Sequence, residues 1–260
     1  MIFLKLGGSL ITDKDKLETP RPEVMKRLAK EIHTAMQERP DLRLLLGHGA
    51  GSFGHRAAAK HGTHLGASGQ DAWLGFAEVW YAAHRLNQLF LEILRAEGIP
   101  AISFPPSASA SSRDGELISM AIEPIRQCLD AGLLPVIFGD VAFDATRGAS
   151  ILSTEKLFAY LGAPLRPSLM LFAGLEPGVW ADFPRKNRLM DEVSSRDLAA
   201  IHLEGTAGTD VTGGMAGKVR QSISMARTLP GLEVRIFSGE STDAVRTALM
   251  GAPVGTLVRP

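Results

Sequence analysis

A single cysteine, Cys128, stands among 260 residues. It excludes an intramolecular disulfide and any zinc site built from several thiolates, and it suits a reducing compartment, so a cytoplasmic location is expected. Net charge is also missing, because 28 Lys and Arg residues balance 28 Asp and Glu residues. No global field draws such a chain to nucleic acid or anionic lipid, and any anion site has to be assembled locally. No uninterrupted apolar run approaches the roughly 20 residues that span a bilayer. The opening stretch MIFLKLGGSLITDK reaches a lysine and two glycines too soon for a secretory signal or a transit peptide. Neither a nucleic-acid nor a membrane partner is expected, and the chain shows no internal repeat or long low-complexity linker.

What is present is ordinary globular composition, 45% hydrophobic and 22% charged, enough for one large core or two small ones. Residues 1–6 are an apolar run stopped by Gly7 and Gly8, which predicts a buried strand entering a tight turn. Residues 42–46 repeat the pattern before a second glycine-rich turn, Gly47-His48-Gly49-Ala50-Gly51-Ser52-Phe53-Gly54-His55. Between them Val24, Met25, Leu28, Ile32 and Met36 recur every three or four residues, predicting an amphipathic helix over 22–36 with Pro22 in its first turn. Phe76, Val79, Trp80, Ala83, Leu86, Phe90 and Leu94 predict a longer helix over 71–97. Further strands are expected at 101–104, 134–138, 169–172, 234–237 and 255–258, with helical patterns between most of them. Strands separated by helices predict an α/β fold with a largely parallel, doubly wound sheet. The short alternation over 141–150 suits a hairpin beside that sheet. A boundary near 164–167 divides the chain into two halves, which either separate or share one sheet.

Three glycine-rich turns carry the candidate chemistry. The first, Lys5-Leu6-Gly7-Gly8-Ser9, sets a lysine at a strand end beside exposed backbone N–H groups that suit phosphate oxygens. The second lacks both the Gly-Lys-Ser/Thr ending of a Walker loop and the GxGxxG spacing of a dinucleotide site. It ends in His55, a hydrogen-bond donor for an anion held against the turn, whereas His48 reads as a structural strand-end histidine. The third, residues 209–218, opens a helical pattern and carries Gly214 and Lys218, so it offers a helix N-terminus to a phosphate chain. One anionic ligand unites the three turns, which points to phosphoryl transfer. That reaction depends on positioning and charge neutralisation, and an acceptor that is itself a phosphate needs no strong general base.

The segments KLGGSLITDK, HGAGSFGH, GFAEVWYAAHRLN, PVIFGD and DVTGGMAGK resemble the amino acid kinase superfamily along essentially the whole chain, most closely its isopentenyl phosphate kinase branch. The resemblance implies one amino acid kinase domain over 1–260, an open αβα sandwich with an acceptor-binding half (1–165) and a nucleotide-binding half (166–260). It implies ATP and Mg²⁺ as cofactors, isopentenyl phosphate as substrate, and a homodimer. By position, Lys5, Gly7, Gly8, Ser9 and Gly51 would hold donor phosphates, joined by Gly214 and Lys218. Lys14 would stabilise transition-state charge, and Asp140 would orient the lysines. Ala50, Gly54, His55 and Thr154 would meet the acceptor phosphate, and Phe76 and Trp80 would bound a prenyl pocket. No separate metal site on the protein is expected.

Two departures stand out. Thr154 replaces a glycine of the branch, so a side chain is expected near the acceptor phosphate. The segment Gly174-Leu175-Glu176-Pro177-Gly178-Val179 lacks both aspartates common in the nucleotide loop of relatives. Other readings compatible with the residues are a kinase of another small phosphate or phosphonate, such as fosfomycin, and a nucleotide-sensing protein that catalyses poorly.

Overall fold

The structure is a computed structural model that describes residues 1–198 and 214–260, with the backbone but not the side chains of His55 and Arg56. The apolar start of the chain is buried throughout as β1 (Ile2–Leu6), and Gly7 turns it into the short α1 (Gly8–Ile11). A ribbon of β2 (Thr12–Asp13) and β3 (Thr19–Pro20) follows and carries residues 14–18 at its tip. Then come α2 (Pro22–Glu38), β4 (Leu44–His48), α3 (Gly51–His61), a single 3₁₀ turn, and the long α4 (Gln70–Ala96). The chain continues through β5 (Ala101–Ser103), α5 (Pro106–Ser109), β6 (Ala110–Arg113), β7 (Glu116–Met120), α6 (Glu123–Asp130) and β8 (Leu134–Phe138). A hairpin of β9 (Asp140–Asp144) and β10 (Gly148–Leu152) leads into α7 (Thr154–Leu165). The remainder holds β11 (Leu169–Gly174), β12 (Val179–Trp180), β13 (Leu189–Met190), β14 (Glu192–Val193), α8 (Gly214–Thr228), β15 (Glu233–Ser238), α9 (Ala244–Leu249) and β16 (Thr256–Val258).

Among the described residues eight strands form one sheet in the order β14, β16, β15, β11, β1, β4, β8, β5, in which only the β15–β16 pair is antiparallel. The largely parallel sheet matches the sequence expectation. β1 lies at its centre, with β4 on one side and β11 on the other, so one sheet runs through the boundary expected near 164–167. Pro164 lies inside α7 rather than ending it. Strand residues alternate between faces. Ile2, Leu4 and Leu6 pack with Met25, Leu28 and Ile32 of α2, Leu86 and Phe90 of α4, and Val245 and Leu249 of α9. On the other face Phe3 packs with Phe158 and Leu161 of α7 and with Val219 and Ile223 of α8. These layers are the αβα sandwich. The alternation places Lys5 on the Phe3 face, under α7.

Residues 141–150 form the expected hairpin, within a smaller sheet ordered β10, β9, β6, β7. The Asp144 carboxylate closes it, accepting from the backbone N–H groups of Asp114, Gly115, Thr146 and Arg147 and from the Ser112 hydroxyl. Burial pushes its pKa up, but those donors outweigh burial and hold it well below the usual carboxylate range. Among the described residues no helix is long and apolar enough to cross a membrane.

Candidate active site

Parallel pairing sets Leu6 level with His48, so the turns that leave β1 and β4 meet backbone to backbone. A Cβ on Gly8 would stand 2.3 Å from the Gly51 nitrogen. Gly51 itself has a φ of +53°, and a Cβ there would stand 2.1 Å from the Thr12 hydroxyl oxygen. Glycine is required at both positions for close approach, and at Gly51 also for the left-handed backbone. Thr12 ties the two turns together: its hydroxyl donates to the Gly8 carbonyl at 2.7 Å and accepts from the Ser52 N–H at 2.9 Å.

The joined turns form one wall of a cleft of about 370 Å³. Lys5, Gly7, Gly8, Ser9, Ala50, Gly51 and Gly54 line it, with Lys14 from the ribbon, Ser153 to Lys156 from the start of α7, and Lys218 and Gln221 from α8. The N-terminal turns of α3 and α7 therefore contribute to the cleft, and helix N-termini favour anions, while α8 reaches it through Lys218 and Gln221 further along the helix. Among the described residues five cations border the cleft, Lys5, Lys14, Arg147, Lys156 and Lys218, against two carboxylates, Asp140 and Glu155. A chain without net charge has thus concentrated positive charge at one place. An apolar part of the same cleft is lined by Ala58, Val79, Ala83 and Ile151.

Lys5 is ion-paired with Glu155, and both are buried. Burial pushes the Glu155 carboxyl up, but the Lys5 charge and hydrogen bond, with the Lys218 charge beyond, hold it below the usual range. His48 is fully buried, stacked on Phe138 at 5.4 Å and paired with Asn87 at 3.2 Å. Burial lowers its pKa and keeps it neutral, in line with the structural reading.

Several expected site residues take up different arrangements. The carboxylate against Lys5 is Glu155, whereas Asp140 accepts from His84 at 3.2 Å and from the N–H groups of Ser107 and Val141. Thr154 borders the cleft, but its hydroxyl donates to the His48 carbonyl at 2.7 Å and its side chain is buried. The expected intrusion toward a phosphate is therefore taken up by packing. From α4 the cleft takes Val79 and Ala83, whereas Phe76 packs between Trp73 and Phe143, and Trp80 stacks on His84 at 4.0 Å. His55 is in the second turn of α3, with its side chain outside the described residues. Gly214 opens α8 as expected, while the preceding residues 209–213 lie outside the described residues.

Sequence reasoning missed Glu155, Arg147 and Lys156. Arg147 is ion-paired with Asp114, and Lys156 donates to the Gly115 carbonyl at 2.6 Å, so both are organised by the small sheet. In the altered nucleotide segment, Glu176 accepts from Trp180 at 2.8 Å and from Lys186 at 2.6 Å.

Comparison with known proteins agrees with this geometry. The model of the amino acid kinase family matches residues 1–238. Isopentenyl phosphate kinase of Methanothermobacter thermautotrophicus is 35% identical over 264 aligned positions, covering 98% of this chain and 97% of that protein. The Haloferax volcanii isopentenyl phosphate kinase is 34% identical, covering 100% of this chain and 98% of its own. An X-ray structure of an isopentenyl phosphate kinase superposes with a TM-score of 0.85 at 31% identity, covering 99% of both chains. The chain belongs to the amino acid kinase family, in the branch of the isopentenyl phosphate kinases.

Proposed function

We propose that this protein transfers the γ-phosphoryl group of ATP to isopentenyl phosphate, giving isopentenyl diphosphate and ADP. The observation that carries the reading is the composition of one cleft: glycine turns and five cations beside an apolar lining of Ala58, Val79, Ala83 and Ile151. Such a cleft suits a ligand that is phosphate at one end and hydrocarbon at the other. Burying the hydrocarbon contributes about 0.8 kcal/mol per CH₂.

Donor phosphates rest on the N–H groups of Gly7, Gly8 and Ser9 and against Lys5 and Gly51, with Gly214 and Lys218 closing from α8. The acceptor phosphate lies at the start of α3, against Ala50, Gly54 and His55. One of its oxygens, already anionic at neutral pH, attacks the γ-phosphorus as the bond to the ADP oxygen breaks. No proton has to be removed from the nucleophile, so the residues act by placement and by neutralising charge. Lys14, on the exposed ribbon tip, meets the charge that develops on the transferred group, and Asp140 orders the cationic side of the cleft from below.

Among the described residues no group of three His, Cys, Asp or Glu side chains is placed to hold a metal. Glu155 is engaged by Lys5 and Asp140 by His84. This donor set fits Mg²⁺ carried on the nucleotide phosphates rather than in a protein cage. When bound, Mg²⁺ would offset the charge of the donor phosphates that Lys5 and the N–H groups of Gly7, Gly8 and Ser9 hold.

The acceptor side draws on residues 1–165, and α8 supplies nucleotide contacts from residues 166–260. A cytoplasmic homodimer completes the proposal. Sedimentation velocity checks the dimer. ADP release with Mg-ATP and isopentenyl phosphate, against dimethylallyl phosphate, fosfomycin and no acceptor, tests the reaction. Turnover of isopentenyl phosphate above the other acceptors is expected, and turnover of fosfomycin alone would replace the substrate.

A further inference from the structure

His84 has no part in the chemistry described so far, yet it is bonded to Asp140, which lines the cleft. Its Nε2 lies 3.2 Å from Oδ2 of Asp140, whose side chain is fully buried. With the carboxylate oxygen as the acceptor, Nε2 is the donor of this hydrogen bond. The ring is clamped: Trp80 stacks on it at 4.0 Å, and Phe138 meets it edge-on at 5.1 Å with planes 83° apart. Trp80 is fixed in turn by donating its indole N–H to the Ser107 hydroxyl at 3.1 Å, and the Ser107 backbone N–H donates to the same Asp140 oxygen at 3.3 Å. His84, Trp80, Ser107 and Asp140 thus close a ring of contacts between α4, α5 and β9.

Asp140 begins β9 where it matters for the site. Asp140 pairs with Leu152, the last residue of β10, two positions before α7 begins. A Cβ on the preceding Gly139 would lie 4.0 Å from the Ala50 nitrogen and 4.0 Å from the Thr154 hydroxyl. Movement of Asp140 therefore reaches both the acceptor turn and the start of α7. Three donors, from His84, Ser107 and Val141, occupy most of the acceptor capacity of the carboxylate and fix its plane.

We infer that His84 is a positioning residue: by donating from Nε2 it holds the Asp140 carboxylate, and with it the join of β9 to the cleft, in the arrangement that phosphoryl transfer requires. The inference rests on the proposed kinase reaction. It also assigns Trp80 to the clamp rather than to a prenyl wall.

The test is a double-mutant cycle of His84→Ala and Asp140→Asn, with His84→Gln as the conservative variant, assayed with Mg-ATP and isopentenyl phosphate. His84→Ala should lower kcat about tenfold or more while both KM values stay within about twofold. Gln, whose amide N–H can still donate, should recover most of the loss. In the Asp140→Asn background, His84→Ala should change kcat by less than about twofold, because the group it positions is already altered. An unchanged kcat, a loss confined to KM, equal factors in both backgrounds, or Gln no better than Ala would each overturn the inference. Should the wild-type chain not turn over isopentenyl phosphate, the kinase reading fails, and the same cycle read by urea unfolding decides the pair. Non-additivity of about fivefold or more in the unfolding constant would support the His84–Asp140 placement, and additivity would overturn it.

Discussion

Lys5 at the end of β1 and Glu155 in the first turn of α7 form an ion pair buried beside the cleft, with side chains 8% and 6% exposed. Taking two charges out of water costs several kcal/mol per ion, and each is tolerated only because the other is present. The pair holds the Lys5 side chain near the end of β1, where solvent scarcely reaches. Glu155→Gln leaves Lys5 without its counter-charge and should lower stability by about 3 kcal/mol in urea unfolding without nucleotide. Mg-ATP should restore part of the loss, because donor phosphates replace the missing charge.

The same pair sets an acid dependence. The Glu155 carboxyl lies below its ordinary value when folded, so the unfolded chain binds a proton that the folded chain refuses. Its contribution is complete above the ordinary carboxylate range and is lost as pH falls through the lowered folded value. Stability measured between pH 7 and pH 3 should therefore fall less steeply in Glu155→Gln than in the wild type. Equal acid slopes would contradict the placement.

The contact between the glycine turns predicts a sharp contrast. Gly8→Ala drives a Cβ into the Gly51 backbone, whereas a Cβ on Gly174 would meet nothing within 4 Å. Gly8→Ala should cost about 2 kcal/mol or more, and Gly174→Ala should stay within about 0.5 kcal/mol of the wild type. Thermal unfolding of the two variants side by side is the measurement.

Lys14 and His55 should separate kinetically. Lys14→Ala should reduce kcat with little change in KM, because its contact strengthens as charge develops; a raised KM at constant kcat would mean ground-state binding instead. His55→Ala should lower acceptor-dependent turnover while ATP affinity, measured by calorimetry, stays largely intact. Equal loss of ATP affinity would move His55 to the donor side.

Acceptor chain length should follow the residues that border the cleft. Ala83→Phe should exclude prenyl phosphates longer than isopentenyl phosphate, and Val79→Ala should admit them better. Phe76→Ala alters an aromatic cluster with Trp73 and Phe143 rather than the cleft lining, so it should leave the ranking unchanged. A ranking that moved with Phe76 and not with Val79 would reverse this assignment.

Much of the fold was legible because its strands are short apolar runs punctuated by glycine. β1, β4 and β8 announce themselves in this way, and the heptad-like spacing of α2 and α4 is plain. The two glycine turns were legible as anion sites for the same reason. Which acid would meet Lys5 was not, because Glu155 is brought there by the β9–β10 hairpin across 150 residues of chain. Phe76 and Trp80 show the other limit. Helical periodicity identifies an apolar face, but it does not distinguish residues that line a cavity from those that pack one layer behind it. Thr154 was visible as a departure, yet its hydroxyl bond to the His48 carbonyl depends on how β4 and α7 pack.

The most direct measurement is ³¹P NMR of the purified protein with Mg-ATP and isopentenyl phosphate. The account predicts that the monophosphate resonance is replaced by a pair of coupled diphosphate resonances as ADP accumulates, with mass spectrometry identifying isopentenyl diphosphate. An unchanged isopentenyl phosphate signal, from folded protein that binds ATP, would contradict it.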